Sequence, residues 1–137
     1  MQSPPIPEGN METSFVLKVN NAEHRLSLPT RWVLEAEKKL GMSLLAAMES
    51  VDRTSVIAVV LWASMQKLDH GMTYDKTLDL MDEMISNGCE FGGTVYSDFA
   101  VTTRTKLYTQ LMAASGFFTK EQSAEIVQKM TEQDTEA

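Results

Sequence analysis

Between Thr54 and Leu68 the hydrophobic positions lose all period. Val56, Ile57, Ala58, Val59, Val60, Leu61, Trp62, Ala63 and Met65 leave no polar stripe on a helix. A helix that is apolar on every side must be enclosed by other elements. The run is about ten residues long, well short of the roughly 20 that span a bilayer. It predicts a buried central helix in a soluble domain.

Upstream, the period is two. Phe15, Leu17 and Val19 share one face of an extended segment, and Leu26 and Leu28 share a face of the next. Asn20-Asn21 lies between them, and Asn tolerates the positive φ of a tight turn. The prediction is a β-hairpin over Ser14 to Leu28, with one face resting on helices because an isolated hairpin is marginal in water. Pro29 stops the strand and Thr30 is placed to cap a helix. Along TRWVLEAEKKLG, Val33, Ala36, Glu37 and Leu40 recur at helical spacing, with Trp32 and Leu34 widening the apolar part. Lys38 and Lys39 suit the last turn, and Gly41 supplies a left-handed C-cap. Ser43 is placed to cap a short helix, Leu44 to Glu49, with Leu44, Leu45 and Met48 inward.

Downstream, Lys67 to Met72 is a polar break. Thr73 caps a helix over Tyr74 to Asn87. Tyr74, Leu78, Met81 and Ile85 form one stripe, Leu80 and Met84 a second beside it, and Asp75, Asp79 and Asp82 lie opposite. Asn87 to Gly93 reads as a flexible, hinge-like connection with Cys89 exposed in it. Val95 to Ser115 reads as helix throughout, although Val101, Thr102, Thr103 and Thr105 favour strand locally. Thr119 to Gln122 has capping-box spacing and opens a final helix to about Met130, with Ile126, Val127 and Met130 apolar. The expected fold is mainly α: about five to six helices around a buried central one, plus an N-terminal β-hairpin. Residues 14–130 would form one domain. Residues 1–13, with Pro4, Pro5 and Pro7, and residues 131–137 read as disordered ends.

Composition narrows the function classes. A chain of 137 residues fits one domain with a real core. The net charge of −7 disfavours nonspecific binding to nucleic acid or anionic membranes. One cysteine excludes an internal disulfide, and the N-terminus has no basic stretch followed by an apolar run. Ten methionines are high, and Met recurs at adaptable binding surfaces as well as in core gaps.

Catalytic chemistry finds little support. Gly88, Gly92 and Gly93 match no phosphate-loop pattern. His24 lacks a second ligand at metal spacing, so it reads as an exposed strand residue. His70 reads as a loop histidine, and nothing near Cys89 lowers a thiol pKa. An enzyme would need Cys89, His70 and a carboxylate to converge. The expectation is no catalytic residue, no cofactor and no metal. The acidic stripe reads as a solvated face. The wide Leu/Met face of the Tyr74 to Asn87 helix reads as surface in excess of what the core covers, for a groove or self-association. Leu80, Met81, Met84 and Ile85, with Phe117 and Phe118, are the candidate partner contacts. The alternative for all six is plain core.

The order of these pieces resembles the tail assembly chaperones of long-tailed bacteriophages, especially those of Gram-positive hosts. The resemblance rests on the hairpin, Leu34 to Gly41, Leu61-Trp62-Ala63, Thr73 to Asp82 and Ser115 to Phe118, and spans roughly Phe15 to Phe118. The proline-bearing arm, the Asn20-Asn21 turn and the stretch Gly88 to Thr105 depart from the family pattern. The resemblance implies a protein that binds the aggregation-prone tape measure protein in the host cytoplasm until the tail tube polymerises around it. Such a chaperone meets the tube protein, is absent from the finished virion, and uses no cofactor or catalysis. Family members are often made in two lengths by a programmed ribosomal frameshift, and this chain would be the short form, with its longer product and further copies of itself as partners.

Two other readings remain open on the sequence. One is a virion component, such as a tail-completion or connector protein. The other is a small acidic regulatory inhibitor whose Asp75, Asp79, Asp82 and Glu83 occupy a nucleic-acid-binding partner.

Overall fold

A computed structural model describes residues 14–69 and 71–115. β1 (Phe15–Val19) and β2 (Ala22–Leu26) pair antiparallel, Phe15 opposite Leu26 and Val19 opposite Ala22. Asn20 and Asn21 turn the hairpin at φ 50° and 68°. Both are positive, which is the twist that suits a two-residue connection. Helices α1 (Thr30–Leu40), α2 (Leu44–Ala47), α3 (Thr54–Ser64), α4 (Tyr74–Asn87) and α5 (Val101–Ala113) follow, with a 3-10 turn at Met48–Ser50. Between α4 and α5 lie two further strands, β3 (Cys89–Phe91) and β4 (Thr94–Tyr96).

Those strands overturn the mainly α expectation. The sheet has four antiparallel strands in the order β2-β1-β3-β4. Of the described residues 55% are helical and 16% are in strands, so the fold is mixed α/β. The supposed flexible connection is a second hairpin. Gly92 and Gly93 make its turn at φ 59° and 78°, and β3 docks on β1 with Glu90 opposite Lys18. Lys18 also stands opposite Glu23, so opposite charges face each other across two strand pairs. Val95 therefore belongs to a strand, and the helix begins only at Val101.

α3 is enclosed as its composition demands. Val56, Ile57, Val60, Leu61 and Ala63 are at most 1% exposed. It ends at Ser64, short of Leu68, where the Ser27 amide donates to the Ser64 carbonyl at 2.8 Å and ties the hairpin's exit to the helix. The inner sheet face adds Leu17, Val19, Leu26, Cys89 and Phe91 to the same core.

Capping explains the helix ends. Thr73 Oγ1 accepts from the Lys76 amide and Ser43 Oγ from the Ala46 amide, as predicted. Thr30 instead becomes the first helical residue of α1, with Pro29 at the cap position and no side-chain cap. Gly41 closes α1 at φ 73°. In α5 the β-branched residues are helical because tertiary burial outweighs local preference. Thr103 and Leu107 are buried, while the Thr105 and Thr109 hydroxyls donate to the carbonyls of Val101 and Thr105.

Residues 1–13, the final helix expected to Met130, the tail 131–137 and His70 lie outside the described residues. No helix among the described residues is long and apolar enough to cross a membrane.

Candidate functional site

The helix stripe on α4 faces differently from its expected orientation. Thr77, Leu80, Met81 and Met84 point into the core, the last three at 6%, 2% and 0% exposure. Leu80, Met81 and Met84 are therefore packing residues in this structure. Ile85 is 48% exposed and Leu78 37%. Phe117 and Phe118 lie outside the described residues. Of the six candidate contacts, Ile85 alone is placed at the surface.

Leu78 and Ile85 are seven residues apart and lie on one strip of the helix with Tyr74 at its start. From Tyr74 to Ile85 this strip runs roughly 16 Å at helical rise. Asp75, Asp79 and Asp82 are exposed along its side and pair with no cation among the described residues. Glu83, further round the helix, accepts a hydrogen bond from Asn20 in the hairpin turn at 3.0 Å.

At Tyr74 the strip opens into a groove of about 340 Å³ between the C-terminus of α1, the N-terminal half of α3 and the start of α4. Its floor is Leu40, Met42, Val56 and Val59; Lys39, Arg53 and Ser55 are its exposed members. The volume lies near the lower end of ordinary ligand or side-chain pockets, about 300–1,000 Å³. An aromatic run adjoins the groove through Tyr74. Trp32 meets Trp62 edge to face at 5.7 Å, and Trp62 meets Tyr74 at 6.3 Å. The Lys39 ammonium stands 5.2 Å from the Trp62 ring centre and 5.4 Å from that of Tyr74. Two ring faces hold the cation there without a carboxylate. Neither Lys39 nor Arg53 has an ion-pair partner among the described residues.

The sequence reading missed this groove. Its only trace was Trp32 and the last-turn Lys39 on one predicted helix and Trp62 on another, and their meeting depends on how α1 packs on α3.

The other singled-out residues are structural here. Cys89 is buried, not exposed. Burial, and then the Asp98 carboxylate, push its thiol up to about 11, so it stays protonated and non-nucleophilic at neutral pH. His24 is a half-buried strand residue rather than an exposed one. Its Nδ1 lies 2.6 Å from Asp69 Oδ2 and joins β2 to the turn after α3. No group of three or more His, Cys, Asp or Glu among the described residues is placed to hold a metal ion. The site offers shape, apolar surface and two signs of charge. Those are means of binding a polypeptide segment. No family model matches this chain, and no curated protein or solved structure matches it.

Proposed function

We propose that this chain is a phage tail assembly chaperone that binds the tape measure protein and keeps it soluble until the tail tube assembles. One observation supports a holding role above the rest. A partly exposed apolar strip runs from Leu40 and Met42 at the groove, whose floor at Val56 and Val59 is buried, through Tyr74 to Leu78 and Ile85. An amphipathic helix fits such a surface by laying its apolar side chains along it. Methionine in the groove suits a client that must be bound and then released. The net charge of −7 keeps the complex soluble while apolar surface is in use. On this reading the protein works in the host cytoplasm, needs no cofactor, carries out no catalysis and is left behind by the finished particle. It is the short member of a frameshifted pair, with the tail tube protein, its longer product and further copies of itself as other partners.

The test is co-purification with the largest coiled-coil-rich open reading frame just downstream of its gene, together with analysis of purified particles. The proposal expects a soluble complex and no copies in the virion. Copies in the virion would favour a tail-completion or connector component instead. The unpaired Asp75, Asp79 and Asp82 favour a second reading, a small acidic inhibitor of a nucleic-acid-binding protein. That reading expects tight binding to a basic protein that is lost at high salt.

A further inference from the structure

β2 is an edge strand, with β1 on one side and no strand on the other. The two-residue turn makes Val19 and Ala22 the closing hydrogen-bonded pair, so Ala22, His24 and Leu26 direct their backbone groups to β1. Glu23 and Arg25 direct theirs outward, and nothing among the described residues pairs with them there. Both residues are exposed. Natural edges are blunted by shortness, lysine, proline or a bulge. The opposite edge, β4, is short: it has three residues and turns only the backbone of Val95 outward. β2 has five residues in unbroken register, with neither lysine nor proline.

We infer that two copies of this chain pair antiparallel through β2, across a two-fold axis at His24, and join their sheets into one. The strand's own residues select both the occupant and the register. Outward-facing residues must meet as the hydrogen-bonded pairs of such a ladder. Setting Glu23 opposite Glu23 of the second copy, or Arg25 opposite Arg25 of the second copy, brings like charges face to face, which is destabilising. The register centred on His24 sets each Glu23 opposite Arg25 of the second copy. It overlaps all five residues of the strand and gives every outward backbone group a partner. On the outer sheet face it also extends a row that already alternates in sign. Glu90 stands opposite Lys18, Lys18 stands opposite Glu23, and Arg25 of the second copy is the next member. A ladder of five residues buries less than the roughly 1,200 Å² of a stable interface, so the dimer is weak and reversible. The further copies included in the chaperone reading thereby acquire a surface, independently of any client.

Sedimentation equilibrium of the full chain is expected to show a dimer that dissociates on dilution. Arg25→Glu or Glu23→Arg alone sets like charges at both pairs and weakens the dimer about tenfold. An equal mixture of the two variants restores the wild-type affinity, a gain that misfolded chains could not show. Disulfide trapping reads the register in a Cys89→Ala background, which leaves no native thiol. Opposed hydrogen-bonded positions have Cα atoms about 5.5 Å apart, within disulfide reach, whereas Glu23 of one copy lies roughly 7–8 Å from Glu23 of the other. A mixture of Glu23→Cys and Arg25→Cys chains therefore cross-links on oxidation, and neither variant does so alone. A wild type that stays monomeric up to about 1 mM, a mixture of charge variants that restores nothing, or disulfides within either cysteine variant alone overturns the inference. So does protection of the Glu23 and Arg25 amides from hydrogen exchange at dilutions where the chain is monomeric, which would put another segment of the same chain, such as residues 1–13, on the edge. If the chain is monomeric and the tape measure protein still co-purifies with it, the edge pairing fails and the chaperone reading stands. If the dimer forms in this register and the tape measure protein does not co-purify, the chaperone reading fails and the edge pairing stands.

Discussion

The hydroxyl of Tyr108 donates a hydrogen bond to the carbonyl of Leu44, 64 residues away in sequence and 2.5 Å away in space. Tyr108 is fully buried, so this bond fixes α5 against the start of α2 out of reach of water. Tyr108→Phe keeps the ring and removes the donor. The Leu44 carbonyl retains the backbone amide of Met48 as a partner, so the loss is that of one buried hydrogen bond. The expected cost is about 1 kcal/mol. It is read as a lower denaturant midpoint with an unchanged slope.

Burial also sets an alkaline limit on stability. The Cys89 thiol is raised from 9.0 in the unfolded chain to about 11 in the folded one, by desolvation first and by Asp98 second. The folded state therefore holds this proton more tightly. The stability involved is complete below pH 9 and is lost as pH rises through about 11. Tyr108 is shifted in the same direction by burial and by Glu37, beyond the usual phenol range, and it adds to the fall at higher pH. The comparison of wild type with Cys89→Ala isolates the cysteine. Unfolding curves between pH 8 and 11 should fall more steeply for wild type, and identical curves would remove the assignment.

Two glycines of the second hairpin separate backbone strain from steric overlap. Gly88 has φ 80°, and a methyl group there would overlap the Tyr96 carbonyl oxygen. Gly93 has φ 78° with open space around it. Gly88→Ala is expected to cost roughly 2–4 kcal/mol, from strain and clash together. Gly93→Ala should cost only the left-handed penalty, about 1–2 kcal/mol. Thermal midpoints of the two variants give the order, and a reversed order would contradict the hairpin geometry.

The hydrogen bond between His24 Nδ1 and Asp69 Oδ2 bridges β2 and the turn after α3. A double-mutant cycle with His24→Ala and Asp69→Ala should return a coupling of about 1 kcal/mol. Additive effects of the two substitutions would show that the contact contributes nothing.

What could be read in advance was local. Thr73, the helical spacing of α4 and the turn at Gly88 gave that helix its observed bounds, Tyr74–Asn87. Asn20-Asn21 between two alternating segments gave the first hairpin. The second hairpin was hidden because its strands have three residues each, too short to display a period of two. Gly92-Gly93 then resembles a loose linker as closely as it resembles a hairpin turn. The orientation of α4 was hidden for another reason. Its apolar positions spread over an arc of roughly 160°, wider than the core covers, and the sheet and α3 decide that Thr77 is buried while Leu78 is not. The meeting of Lys39 with Trp62 and Tyr74 is a product of tertiary packing, with no local signal.

The most direct test of the holding role is the fraction of co-expressed tape measure protein that stays soluble with the wild-type chain and with Leu78→Glu/Ile85→Glu. Both positions are exposed, so the variant should fold with an unchanged thermal midpoint. If the strip is where the client rests, the wild type keeps most of the client soluble and the variant loses most of that effect. A client that is insoluble with the wild type, or equally soluble with the variant, would contradict the account.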